Sequence, residues 1–188
     1  MLFVDDYTRM TWAYLLNKKS EAFDYFKHFR KQVEKELGMK IKCLRSDNGG
    51  EFTSSEFDMY YANKGIQRHL STARTPQQNG VVERKNRTVT EMARSMLQEA
   101  KLDKNFWCQA VPVAIHILNK SLLGTNSEKT PYELWTGRRA NLKYFRVFGS
   151  KCYIKRTDKN LGKFDPRTDE GIFLGYSCKR KACASITG

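Results

Sequence analysis

Short runs of strand character alternate with longer stretches of helical periodicity through the first 137 residues, and this alternation restricts the chain to a mixed α/β fold. Leu2-Phe3-Val4 runs into the turn-forming Asp5-Asp6-Tyr7-Thr8, which predicts a strand with residues 11–16 as its hairpin partner. Ser20-Glu21 opens a helix whose apolar face holds Phe23, Phe26, Phe29, Val33 and Leu37, with Gly38 at the expected C-cap. A short strand over 41–44 follows. Ser54 or Ser55 then caps a helix that stops near Gly65, and residues 66–70 read as a further strand.

After a polar loop, Pro76 starts a long helical pattern in which Val82, Val89, Met92, Ala93 and Met96 form a core-facing stripe. Leu102-Asp103-Lys104 breaks it. Residues 106–123 form a second, more apolar helix, in which Pro112 is expected to introduce a kink. Residues 130–135 form a short helix closed by Gly137. From Phe148 the character changes to short strands over 152–154 and 171–174, separated by basic turns. The boundary falls near 138–145, giving a domain over 1–140 and a small β domain over 141–188.

Composition narrows the function classes. Hydrophobic residues (40%) suffice for a buried core, yet no uninterrupted apolar run reaches the roughly 18 residues of a membrane span. The opening Met-Leu-Phe-Val meets Asp5-Asp6 with no basic region before it, so no signal peptide is expected. The net charge of +14 is uneven: residues 1–75 carry a net +3 and residues 76–188 a net +11. Such a surplus favours polyanions, because neutralising phosphates releases condensed counterions; a solvated basic surface would look the same. The five cysteines are scattered without a C-x-x-C pair, and His28, His69 and His116 are dispersed. A reducing intracellular setting without a zinc finger is expected.

Two acids stand out by position. Asp47 follows a short strand and precedes Asn48-Gly49-Gly50, so its carboxylate is expected at the strand's C-terminal end, the edge where open α/β sheets bind ligands. Glu83 lies beyond an interval of 35 residues, early in the long helix, directly before Arg84-Lys85-Asn86-Arg87. Two such carboxylates can share Mg²⁺, and paired metals clamp the attacking and leaving oxygens of a phosphodiester. Taken alone, Asp47 can equally belong to a plain turn, and Glu83 can be an acid favoured by the helix dipole.

The surrounding residues carry more. Ser46-Asp47-Asn48-Gly49-Gly50-Glu51-Phe52 and Thr75-Pro76-Gln77-Gln78-Asn79-Gly80-Val81-Val82-Glu83-Arg84-Lys85-Asn86-Arg87-Thr88 resemble the second and third acidic motifs of retroviral and copia-type retrotransposon integrases, at a similar interval. Phe3 to Arg9 resembles the segment after that family's first catalytic strand. Phe148-Gly149 and Gly171-Ile172-Phe173-Leu174-Gly175-Tyr176 resemble the small SH3-like β domain that follows the core in copia-type polyproteins.

The resemblance implies a ribonuclease-H-like mixed sheet flanked by helices and a DNA strand transferase acting on element ends and target DNA as a homo-multimer in the nucleus, with no role for a membrane. It implies Mg²⁺ or Mn²⁺ held by Asp47 and Glu83, with Arg84, Lys85 and Arg87 on the DNA backbone and Gln77, Gln78 and Asn79 in a loop near the DNA. The family's first catalytic Asp and its central strand, like the preceding zinc-binding region, have no counterpart here, since Asp5 and Asp6 match a later turn. The chain is therefore expected to be inactive by itself. The tail, residues 182–188, departs from the family's usual continuation into another strand. The alternatives are a non-catalytic nucleic-acid-binding protein and a ribonuclease-H-like nuclease.

Overall fold

The computed structural model describes residues 1–46, 55–70, 79–124, 127–156, 162, 166–176 and 183–186. The order is β1 (Leu2–Val4), β2 (Thr11–Ala13), α1 (Ala22–Leu37), β3 (Cys43–Ser46), α2 (Ser55–Lys64), β4 (Gln67–Leu70), α3 (Gly80–Glu99), α4 (Trp107–Ser121), α5 (Pro131–Thr136), β5 (Lys151–Lys155), β6 (Thr168–Tyr176) and β7 (Cys183–Ile186). The chain forms two compact units: Met1–Leu2 with Tyr14–Lys85, and Phe3–Ala13 with Asn86–Gly188.

In the first unit, the spacing of Phe26, Phe29 and Val33 puts all three on the buried stripe of α1. Phe26 is fully buried, and it meets Phe57 and Tyr61 of α2 at centroid distances of 5.9 and 5.7 Å. Each such aromatic contributes about 1.5–3 kcal/mol on burial. Gly38 ends α1 in the left-handed region (φ +67°), its N–H donating to the Glu34 carbonyl, as the sequence predicts. α2 is the crossover that lets β3 and β4 pair in parallel, Cys43 opposite Gln67 and Ser46 opposite Leu70. β3 is displaced two residues C-terminally from the expected 41–44. The backbone decides this, because the Gln67 N–H donates to the Lys42 carbonyl at 2.8 Å and the ladder runs on from there. Cys43, Arg45, Gln67 and His69 lie exposed on one face of the pair; Leu44, Ser46 and Arg68 lie covered on the other.

In the second unit, Asp5 organises the turn after β1. Its Oδ2 accepts from both the N–H and the hydroxyl of Thr8, each at 2.7 Å, and its carbonyl accepts from Arg9, whose φ is +61°. Asp6 pairs with Arg9 at 2.9 Å. Both acids are turn residues, as their motif predicts. The expected partner strand over 11–16 shortens to Thr11–Ala13. α4 buries Ala110, Val111, Val113, Ala114, Ile115, Leu118 and Asn119 and contains Pro112 on its exposed side. On α3, Val89, Ala93 and Leu97 are buried, and Leu97 extends the stripe expected from sequence. α5 starts on a capping box between Thr130 and Glu133 and ends at Gly137 (φ +68°).

The strands form a β1–β2 pair, a β3–β4 pair and an antiparallel β5–β6–β7 sheet. β7 corrects the expectation that the tail leaves the strand pattern, since Cys183–Ile186 pairs with β6 across a register shift between Phe173 and Gly175. β6 is nine residues long and offers a backbone edge that any extended segment can pair with, whatever its side-chain pattern. Gly149 (φ +79°) donates its N–H to the Phe173 carbonyl at 2.8 Å, and a Cβ there would overlap Ala100 Cβ, so glycine is required.

Candidate metal and nucleic-acid site

β3 ends at Ser46, which is buried and whose hydroxyl has no hydrogen-bond partner among the described residues. The residue that follows is Asp47, so its chain position is the C-terminal end of a parallel strand, where peptide dipoles and loop geometry favour ligands. Asp47 itself lies outside the described residues, as do Gln77 and Gln78.

Glu83 is described. It sits in the first turn of α3, anchored by its N–H to the Asn79 carbonyl at 3.1 Å. Its side chain is exposed, and among the described residues no ion pair engages the carboxylate. The dipole of a 20-residue helix favours an acid at this end. Asn79 is half-buried, so the end of the expected loop is held while Glu83 projects outward. The Arg84 guanidinium folds back over the helix start, within 3.2 Å of where a Gly80 side chain would begin. Arg84 and Arg87 are exposed and Lys85 half-buried; Arg87 follows Glu83 by one turn and shares its side of the helix.

β3 and the first turn of α3 belong to the same compact unit. Of the expected metal ligands only Glu83 falls within the described residues, and among those residues no group of three His, Cys, Asp or Glu side chains converges. An exposed carboxylate oxygen at a helix start is a hard donor suited to Mg²⁺ or Mn²⁺.

The support of β4 lies outside the sequence motifs. Arg68 Nη1 binds Asp58 Oδ1 at 2.6 Å, tying β4 to α2, and its guanidinium lies 5.8 Å from the centre of the Tyr61 ring. Burial pushes the Tyr61 hydroxyl up to about 12, against the opposing pull of Arg68, and Asp58 adds to the rise. The available signal was the pair of opposite charges on either side of the Gly65 turn.

The integrase core domain family matches residues 1–76, a span that includes Asp47, and the retroviral polymerase SH3-like domain family matches residues 150–184. The retrovirus-related Pol polyprotein from transposon TNT 1-94 of Nicotiana tabacum is 41% identical over 174 residues, covering 93% of this chain and 13% of that protein. The corresponding polyprotein from transposon RE2 of Arabidopsis thaliana is 34% identical over 97% of this chain and 12% of its own length. The chain thus spans a small part of the curated relatives it matches.

Among solved structures, the simian T-cell lymphotropic virus intasome in complex with the PP2A regulatory subunit B56 gamma aligns with a TM-score of 0.61 at 19% identity, over 92% of this chain and 61% of that one. The HTLV-2 integrase catalytic core domain in complex with magnesium aligns with a TM-score of 0.54 at 21% identity, over 70% of this chain and 80% of that one. These likenesses establish the ribonuclease-H-like α/β fold that the sequence predicted.

Proposed function

The chain belongs to the integrase region of retrovirus-related Pol polyproteins, and from that premise we propose that it serves a divalent-metal-dependent DNA strand transferase that joins element ends to target DNA in the nucleus as part of a multimer. The observation that carries this reading is the order and interval of its acids. Asp47 comes directly after the last residue of a parallel strand, Glu83 stands in the first turn of α3, and 35 residues separate them.

Asp47 and Glu83 are the residues that would hold Mg²⁺ or Mn²⁺; when bound, such an ion supplies Lewis-acid polarisation for in-line displacement at a phosphodiester. The protein's own groups position and neutralise. Glu83 keeps its carboxylate free of competing cations among the described residues, although Arg84, Lys85 and Arg87 follow within about one turn. Those three cations supply charge for DNA phosphates next to the acid, and Gln77, Gln78 and Asn79 supply uncharged donors in the segment before the helix.

Calorimetric titration of the purified chain with MnCl₂ tests the acid pair. Binding is expected in the parent and lost in both Asp47→Asn and Glu83→Gln. Undiminished Mn²⁺ binding in either variant would falsify the shared site.

A further inference from the structure

We propose that the connector from Arg138 to Arg146 is a second binding segment for the phosphate backbone of duplex DNA, apart from the cations of α3. The proposal rests on the integrase reading for the identity of the polyanion. Its location comes from charge and geometry.

From Arg138 to Arg146 the chain contains four Lys and Arg and no acid. A basic run of this kind is usually a solvated, mobile face. This one is held. The Arg138 N–H donates to Thr136 Oγ1 at 3.2 Å, Ala140 to Glu133 Oε1 at 3.1 Å, and Lys143 to Asn141 Oδ1 at 3.0 Å. Phe145 donates to the Leu142 carbonyl at 3.0 Å, and Arg146 to the Tyr176 hydroxyl at 3.1 Å. The Phe145 ring turns inward to His116 (5.6 Å) and Tyr176 (6.1 Å). The backbone is fastened to α5 and β6 of the second unit, while Arg138, Arg139, Lys143 and Arg146 keep exposed side chains.

Glu133, the acid that precedes the connector, is engaged chiefly by the backbone, with the Arg139 charge adding a weaker pull. Both Glu133 carboxylate oxygens accept backbone N–H groups, from Thr130 and Ala140. Among the described residues none of the four cations forms an ion pair. Interleaved with them, Leu142, Tyr144 and Val147 are 47%, 56% and 71% exposed. Cations on a fixed backbone, with apolar surface between them, suit a phosphate backbone and the sugars it carries. A pinned backbone also lowers the entropy lost on binding, which favours this segment over a free tail.

Fluorescence anisotropy with a labelled DNA duplex across a salt series tests this directly. The triple change Arg138→Ala, Arg139→Ala and Lys143→Ala is expected to reduce the slope of log K against log salt by about 0.9 for each phosphate left unneutralised, hence by about 2 to 3. The charge-keeping changes Arg138→Lys and Arg139→Lys are expected to stay near the parent. Removing three exposed cations elsewhere, with Lys31→Ala, Lys35→Ala and Lys40→Ala, is expected to leave the slope almost unaltered. A parent-like slope in the connector triple variant overturns the inference, and so does an equal fall in the α1 control, which would reflect net charge alone. Altered self-association in light scattering with intact DNA binding also overturns it, by making the connector a protein interface. If the parent chain itself fails to bind DNA, the broader integrase reading falls, whereas a binding parent with an indifferent connector refutes only the present proposal.

Discussion

α4 and the opening of α3 put their side chains to opposite uses. Of the 15 residues of α4, seven are buried, and its sequence follows from packing. Across positions 81–88 of α3 no residue is buried, and in the run Glu83-Arg84-Lys85-Asn86-Arg87 every side chain is exposed except the half-buried Lys85. Long cationic side chains lose up to about 2 kcal/mol of rotamer entropy each when ordered, so the fold gains little by fixing them. A helix that packs along one half and presents charge along the other leaves that half to solvent or to a ligand. The contrast teaches that burial explains one helix, whereas the charged opening of the other is not set by packing.

The sharpest way to break this contrast is a change that should matter only to chemistry. Glu83→Gln, placed in the corresponding full-length polyprotein, is expected to lower strand transfer by about 10³-fold or more, the equivalent of about 4 kcal/mol of metal-borne barrier reduction. The thermal midpoint should fall by no more than about 1–4 °C, since the side chain is exposed and only its favourable place on the helix dipole is lost. A large fall in the midpoint would give Glu83 a structural role and erase the distinction. The reverse experiment is Leu118→Ala in α4, a residue 1% exposed. It should cost about 3 kcal/mol of stability, and hence about 6–12 °C in a thermal melt, with DNA affinity of the folded protein preserved.

A smaller effect separates polar from apolar work within α4 itself. Buried Asn119 accepts the Thr11 N–H through Oδ1 at 3.1 Å and donates through Nδ2 to the Thr11 carbonyl at 2.8 Å, standing in for a neighbouring strand beside β2. Asn119→Leu keeps the branched heavy-atom skeleton but leaves buried backbone groups unpaired, for a loss of about 2 kcal/mol in urea unfolding. An unchanged midpoint would show that water reaches Thr11.

What the sequence disclosed follows the same division. α1, α2 and α5 were legible because their stops are glycines in the left-handed region, and α1 also carries an apolar face at helical spacing. The start of β3 was not, because a parallel ladder is set by a partner more than twenty residues away and not by the local apolar run. β7 was missed for a related reason: Cys183-Ala184-Ser185-Ile186 has a weak strand pattern, and its pairing depends on the edge that β6 offers. Asn119 could not be recognised as a strand surrogate, since its partner lies 108 residues earlier. At the site, motif spacing named Asp47 and Glu83, whereas the Arg68–Asp58 tie behind β4 and the backbone pins of the connector exist only in three dimensions.

A pH-dependent effect tests whether α4 is as electrically silent as its packing suggests. His116 stacks on Tyr176 at 4.3 Å and 24°, and burial, aided by the Lys120 charge one turn on, lowers it from 6.5 to about 4. The folded state therefore resists taking a proton that the unfolded chain accepts near its ordinary value. By linkage the contribution is fully present above about pH 6.5 and is lost progressively as the pH falls towards 4. Melting temperatures of the parent and of His116→Phe, which keeps an aromatic ring on Tyr176 but cannot be protonated, should converge in slope above about pH 7. Below about pH 6.5 the parent should fall more steeply, because the carboxylates common to both proteins cancel in the comparison. Parallel curves down to about pH 4 would mean that the imidazole is solvated in the folded state, and α4 would then share the open electrostatics of α3.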